Sequence, residues 1–299
     1  MQEATFPVEV LINDDASTDG TAEIVREYEN RYPGLIRSIY QTENQYSKGI
    51  KPNVTFNLPR ARGKYIALCE GDDFWTAAHK LQVQVDFLQN NSAYVGCFHN
   101  AEAHYQNQLH KSHLLFNENQ KDTVTLEDLV LENRLATLST VYRANLFDSF
   151  PEWYNRMPFG DWALHVLNAE HGPFRYINQN MAVYRIHDAG VWSRLGRREQ
   201  ILKMIVVANA INVHLNFRYA NVIQNRIGYW HYEIATELSR SGKHHGIFVH
   251  LLQALRHMNK EIPKKDYLRL VFKHSFPWLY SHTYWRLQRL SRAVRRQRA

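Results

Sequence analysis

Two apolar runs early in the chain each end in a knot of carboxylates, and this constrains the fold more than any other feature. Val8-Glu9-Val10-Leu11-Ile12 leads into Asn13-Asp14-Asp15, and Tyr65-Ile66-Ala67-Leu68-Cys69 leads into Glu70-Gly71-Asp72-Asp73. Short apolar runs bounded by turn residues read as strands, the second of them as a fully buried one. In open α/β sheets ligands bind beyond the carboxyl ends of the strands, so both acidic knots are expected to face one crevice. Carboxylates gathered there repel one another unless a cation or a donor group satisfies them. Glu70, Asp72 and Asp73 supply hard oxygen donors that suit Mg²⁺ or Mn²⁺, ions that complete their coordination with substrate phosphates. For either knot alone, an acid-rich surface turn is the plain alternative.

The rest of the first two hundred residues alternates strand and helix patterns, the signature of an α/β fold with a largely parallel sheet. Ser17-Thr18-Asp19 supplies caps for a helix carried by Ala22, Val25, Tyr28 and Tyr32 and stopped at Pro33-Gly34. Strands are expected at Ile36 to Tyr40, Tyr94 to Phe98, Leu138 to Tyr142 and Phe174 to Ile186. Helices are expected around Leu81, Val85 and Leu88, and from Asp161 to about Glu170. Cys69 and Cys97 lie in apolar runs and read as reduced core residues of a cytosolic protein. No uncharged apolar stretch is long enough for a transmembrane helix, and Met1-Gln2-Glu3-Ala4 carries no signal-peptide pattern.

At this point the residues carry a resemblance. Asn13-Asp14-Asp15-Ala16-Ser17-Thr18-Asp19-Gly20-Thr21, then Gly63-Lys64-Tyr65 through Asp73, then Asp161-Trp162 and Tyr184-Arg185-Ile186-His187, occur in the order found in family 2 glycosyltransferases. The chain resembles that family over roughly residues 5 to 195. The resemblance implies a GT-A fold, a Rossmann-like sheet flanked by helices, and a hexosyltransferase-like enzyme of cell-envelope polysaccharide assembly. Its substrates would be a nucleotide-sugar donor, a UDP-sugar by preference, and a glycan or lipid-linked acceptor.

Carried onto this sequence, Asp14 and Asp15 match the pair that accepts hydrogen bonds from uracil and ribose. Asp72 matches the carboxylate that binds the divalent metal on the donor diphosphate. Glu70 stands where the family has Asp, with a longer arm for a donor contact, and Asp73 is placed near the donor sugar. Asp161 matches the general base of an inverting transfer. His187 matches a late polar position near the metal and diphosphate, with Arg185 as a phosphate partner. The family's opening strand and helix have no counterpart ahead of Phe6-Pro7-Val8-Glu9, so an amino-terminally shortened domain is expected.

Read without the resemblance, several of these residues have plainer roles. Asp161 is placed as a helix N-cap, and His187 is one of 16 histidines. Trp75 reads as packing, and Trp162 and Trp192 serve an acceptor pocket or the core equally well. Lys48 and Lys51, in a loop, are candidates for approaching the diphosphate.

The formal net charge of +7 hides a division. From Glu199 onward there are 17 Lys and Arg against 5 Asp and Glu, and before it 19 against 24. A domain boundary is placed near Gly196, giving a catalytic domain over 1–196 and a basic helical region over 197–299. Ile201, Ile205, Ala208 and Asn212 set the helical spacing there. Leu268 to Trp285 interleaves aromatics with basic residues, and the last fourteen residues hold six arginines and no acid. That pattern suits an anionic membrane surface as well as it suits a solvated tail. No nucleic-acid-binding motif accompanies it. Two readings stand: a metal-dependent, inverting glycosyltransferase, cytoplasmic and held peripherally at the inner face of the plasma membrane, or a non-catalytic relative acting as a membrane-associated interaction protein.

Overall fold

The computed structural model describes residues 2–106, 108–188, 190–243, 245–257, 262–277 and 280. It separates into two compact units, Met1–Leu195 and Gly196–Ala299.

The first unit opens with strand β1 (Val10–Asp14), helix α1 (Thr21–Arg31) and strand β2 (Ile36–Tyr40). β1 and β2 pair in parallel as a separate two-stranded sheet, Val10 opposite Ile36 through Asp14 opposite Tyr40. The cap of α1 differs from expectation. Gly20, at φ 85°, is the N-cap and offers no side chain. Asp19 acts from one residue earlier, its carboxylate accepting from the Thr21 amide at 3.2 Å and the Thr21 hydroxyl at 2.6 Å.

A second sheet carries the remaining strands: β3 (Tyr65–Ala67), β4 (Phe74–Trp75), β5 (Gly96–Tyr105), β6 (His113–Leu114), β7 (Thr123–Val124), β8 (Val141–Arg143) and β9 (Phe174–Ile186). Its main order is β3-β8-β5-β9-β4, with β6 on β5 and β7 on β9. The long ladder, β5 with β9, is parallel, as is β1 with β2. The short pairings are antiparallel, so the sheet is mixed in direction. β3 is shorter than its apolar run and only half-buried, because it lies at the end of that order with β8 on one side. Cys69 therefore falls outside the strand and is exposed, whereas Cys97 is buried in β5, and both thiols are free.

Helices fill in around this sheet. Helix α2 (Lys80–Asn90) buries Leu81, Val85 and Leu88, the spacing legible in the sequence. Leu81 and Leu88 form a core with Cys97 and Val141, against which Phe6, Val8, Tyr65 and Ala67 pack. Short helices α3 (Leu126–Leu129) and α4 (Glu152–Asn155) precede α5 (Asp161–Ala169), in which every residue from Trp162 to Ala169 is buried. A helix covered all round is a core element. Trp162 belongs to that core: it is 1% exposed and donates its indole N–H to the Leu129 carbonyl at 2.6 Å.

The second unit is helical: α6 (Arg197–His214), α7 (Ala220–Arg240), α8 (Ile247–Arg256) and α9 (Lys264–Ser275). α7 packs against each of the other three and buries Ile223, Ile227, Trp230, Ile234 and Leu238. Trp278, Trp285 and the arginine-rich end lie outside the described residues.

Gly96 shows how tightly β5 is held between its neighbours. A Cβ there would sit 2.4 Å from the Phe174 ring and 2.8 Å from the Val141 carbonyl. Gly96→Ala is expected to destabilise the protein by about 1–3 kcal/mol, through overpacking that the backbone oxygen cannot relieve. Gly71→Ala, which meets nothing within 4 Å, should stay within about 0.5 kcal/mol. Thermal melting of both variants checks this, with a fall of several degrees for Gly96→Ala alone.

Candidate active site

Local pairing assembles the acidic cluster. β4 pairs antiparallel with β9, Phe74 opposite Val183 and Trp75 opposite Ala182. Extending that register by two residues lays Asp73 and Asp72 beside Tyr184 and Arg185. The contacts follow: the Arg185 amide donates to Asp73 Oδ1 at 2.8 Å, and the Arg185 Nε donates to the Asp72 carbonyl. His187 Nε2 lies 3.1 Å from Asp72 Oδ2. The register of β9 against β5 shifts on either side of Asn100, a bulge that re-aims the strand before it reaches this end. β4 itself is pinned by Trp75, whose indole N–H donates to the Leu138 carbonyl at 2.8 Å while the buried Lys80 ammonium sits 4.0 Å over its ring.

Asp161, the first residue of α5, lies near enough for its charge to act on Glu70 and the Tyr184 hydroxyl. Asn133, in the stretch after α3, donates to Asp161 Oδ2 at 2.8 Å. The carboxyl is raised above the usual range, chiefly by burial. The amides of Trp162 and Asp161, the Asn133 donor and the charge of Lys51 pull the other way. Lys51 also donates to the Met157 carbonyl at 2.5 Å, so it braces the chain just ahead of α5. Lys48 pairs instead with Glu43.

Charge crowding marks the site. Glu70 keeps an open face, yet loss of water around its carboxyl and the charge of Asp73 push it up to about 7, with Asp161 and Asp72 adding to the shift. Asp73 is pushed up to about 6 by burial and by Asp72, against the Arg185 amide. The Tyr184 hydroxyl is pushed up to about 12 by burial and by the carboxylates of Asp73, Asp72, Glu70 and Asp161. Asp73 Oδ2 is buried with no hydrogen-bond partner. That is the position a cation or a substrate hydroxyl would satisfy.

The other acidic knot sits at the end of β1, in the two-stranded sheet. Asp14 is buried; its Oδ2 accepts from the Ser17 amide at 3.3 Å and its Oδ1 has no partner. Asp15 is fully engaged, accepting from the amides of Gln45 at 2.8 Å and Tyr46 at 2.9 Å. It ties the 44–48 loop to the end of β1. Ala16, at φ 60°, turns the chain between these contacts in the left-handed region.

Among the described residues no three His, Cys, Asp or Glu side chains converge to hold an ion by themselves. The pair Asp72 and His187 does fit a divalent cation that takes its other ligands from a diphosphate and water. Sequence reasoning missed Asn133, for which an isolated Asn in a loop gives no signal. It also passed over Tyr184, visible only as part of the Tyr184–His187 run. Trp192 packs edge-on against Phe159 at 5.1 Å between ring centroids.

The family model described as glycosyl transferase family 2 matches residues 2–153. An uncharacterized protein of Mycobacterium tuberculosis is 41% identical over 192 residues, covering 64% of this chain and 54% of that protein. The chain thus spans about half the length of such curated relatives. A putative teichuronic acid biosynthesis glycosyltransferase of Bacillus subtilis, TuaG, is 36% identical over 84 residues, 28% of this chain and 31% of its own. The Escherichia coli protein WfaP, a UDP-Glc:alpha-D-GlcNAc-diphosphoundecaprenol beta-1,3-glucosyltransferase, is 30% identical over 87 residues, 29% of this chain and 32% of its own. With the family model matching more than half of its residues, the chain belongs to glycosyl transferase family 2.

Proposed function

We propose that this protein transfers a sugar from a nucleoside-diphosphate donor, a UDP-sugar by preference, to a hydroxyl of a glycan or lipid-linked acceptor, with inversion at the anomeric carbon. The observation that carries the reading is Asp161, a carboxylate of raised pKa fixed at the head of a buried helix and near enough to Glu70 of the acidic turn for its charge to bear on that turn. The name of WfaP, with its UDP-Glc donor and diphosphoundecaprenol acceptor, supports both the nucleotide and the lipid-linked class. A lipid-linked acceptor would put the reaction at a membrane surface, on the cytoplasmic side where nucleotide sugars are made.

Asp161 takes the proton of the acceptor hydroxyl as that oxygen bonds to the anomeric carbon. The bond from the anomeric carbon to the donor phosphate breaks, and its electron pair leaves with the nucleoside diphosphate. A base whose pKa is raised toward neutral pulls harder on that proton than an ordinary carboxylate. Asn133 and the amides at the head of α5 hold the Asp161 carboxylate in place as it meets the acceptor hydroxyl. Asp72 and His187 would hold Mg²⁺ or Mn²⁺ on the diphosphate; when bound, the ion neutralises charge on the leaving group. Asp73 Oδ2 and Glu70 face the donor sugar. Arg185, tied to the acidic turn, adds positive charge beside the phosphates. Asp14 Oδ1 is an acceptor for uracil or ribose, and Asp15 holds the loop beside it.

Asp161→Asn is expected to leave UDP affinity within about twofold and to lower transfer by about 10²–10⁴-fold, measured as UDP release from a panel of UDP-sugars with a lipid-linked acceptor. The same variant reads the electrostatics. A carboxyl whose pKa rises on folding contributes stability that is complete below its unfolded pKa and lost as pH rises through the folded value. Asn removes that loss, so the variant should melt higher than the wild type at pH 8 and show no such gain at pH 4. The sequence expectation of Asp161 as N-cap is not met, since Gly160 holds that position. Asp161→Asn with wild-type transfer would reduce Asp161 to a structural residue of the first turn of α5.

Asp72→Asn removes an anionic ligand from a site with two protein ligands. Calorimetric titration of UDP should show Mn²⁺ tightening binding to the wild type and little tightening in the variant, with His187→Ala behaving alike. Equal enhancement in all three proteins would remove the ion from this position.

A further inference from the structure

The second unit carries a helix that is apolar on both sides and covered on one. In α8, Ile247, Leu251 and Ala254 are buried, at spacings of four and three. Phe248, Val249, Leu252 and Leu255 form a second apolar stripe on the opposite side, and all four are exposed, Val249 by 60% and Leu252 by 59%. His250 and Gln253 occupy the side between the two stripes. Apolar surface that stays open on a folded chain marks an interaction site. The next helix repeats the pattern. α9 buries Tyr267 and Leu270 while exposing Leu268 and Phe272, with Leu268 exposed by 64% and Phe276 exposed just past its end. The inner sides are accounted for: α8 and α9 pack on α7 and on each other, and the Tyr267 hydroxyl donates to the Leu251 carbonyl at 3.0 Å.

Charge decides what covers the outer side. From Lys243 to Lys273 the sequence places seven Lys and Arg against two acids, Glu261 and Asp266. α8 has no acid at all and ends in Arg256. Lys264 and Lys265, both exposed, stand four and three residues before Leu268, on its side of α9. Phe272 contacts the rings of Phe276 and Tyr280, and the Arg269 Nε donates to the Tyr280 hydroxyl at 2.9 Å. Protein interfaces are depleted of lysine around their apolar centres. Apolar side chains with a lysine- and arginine-rich border instead match a lipid surface, where the stems of the basic residues lie along the acyl boundary and their charges meet anionic headgroups. We infer that the outer sides of α8 and α9 form a docking surface for an anionic lipid bilayer, in which Phe248, Val249, Leu252, Leu255, Leu268 and Phe272 enter the headgroup region. No helix among the described residues is long and apolar enough to cross a membrane, so the contact lies in the plane of the surface. The inference stands on the exposed faces and their charge, and holds whether or not Asp161 is the catalytic base.

The test is flotation of the full chain with vesicles of phosphatidylcholine alone and of phosphatidylcholine with phosphatidylglycerol. The wild type should float with the anionic vesicles and much less with the neutral ones. Val249→Glu/Leu252→Glu alters only exposed positions and should lower the bound fraction at least tenfold, with an unchanged melting temperature. Leu268→Glu supplies a second variant on the other helix with the same expectation. Lys264→Glu/Lys265→Glu should weaken binding about tenfold or more on anionic vesicles and leave the neutral ones unchanged. The inference is overturned if the wild type stays unbound with both vesicles, or if the folded α8 and α9 variants float as it does. It is equally overturned if light scattering finds a dimer that Leu252→Glu separates, which would assign the face to a second copy.

Discussion

The antiparallel pairing of Phe74 and Trp75 with Val183 and Ala182 brings the acidic turn against the end of β9. β4 is only two residues long, and a ladder of that length is weak by itself. Its support comes from Trp75. The indole N–H is bonded to the Leu138 carbonyl, and its ring packs on the cores of Leu81 with Val141 and of Ala101 with Ala182. Lys80, the first residue of α2, is buried with its ammonium over that ring and no hydrogen-bond partner, and burial lowers it to about 7. A buried amine without an acceptor is unfavourable. Its place beneath Trp75 ties α2, β4 and the turn ahead of it into one packed body, and Asp72 and Asp73 take their positions from that body.

The electrostatics of the cluster follow from the same packing. Glu70, Asp72, Asp73 and Asp161 come from two segments far apart in sequence, and burial raises three of them above the ordinary carboxylate range. The charges of Arg185 and Lys51 act on Asp73 and Asp161, and both side chains are also bonded to main-chain carbonyls. Folding therefore concentrates negative charge that the protein itself only partly balances. Such an arrangement favours proton uptake or a divalent cation. Both are uses to which a site for a diphosphate leaving group and an acceptor hydroxyl can be put.

Much of this was legible before any coordinates. The apolar stripes place α1 and the helix around Leu81, Val85 and Leu88, the helix expected from Asp161 to about Glu170 is α5, and Phe174 to Ile186 has its expected limits. These elements are long or strongly periodic, so local pattern and tertiary burial agree. The Tyr65 to Cys69 run misled, because its strand sits at the end of the sheet order and stops at Ala67, leaving Cys69 exposed. Two-residue strands such as β4 and β6 have no pattern of their own and exist through their partners. At the site, the acidic residues announced themselves by clustering, but their division of labour did not. That Asp15 would be saturated by loop amides while Asp14 keeps an open oxygen depends on the turn at Ala16. That Asn133 would reach Asp161 depends on a loop path no periodicity records.

Rigid and variable parts divide along the same line. Asp161 begins a helix buried on all sides, and Asp72 and His187 are set by strand register, so these side chains inherit the precision of the core. The surroundings are different in kind. The 44–48 loop rests on Asp15, and Asn133 comes from a connection between short elements. Exposed connections tolerate changes of length and sequence that a packed helix does not. Selection among donor sugars and acceptors requires differences in shape, which such loops can supply without disturbing the carboxylates. Under the proposed function, a core that fixes Asp161 and the acidic turn, bordered by exposed loops, lets donor and acceptor selection change without moving the carboxylates.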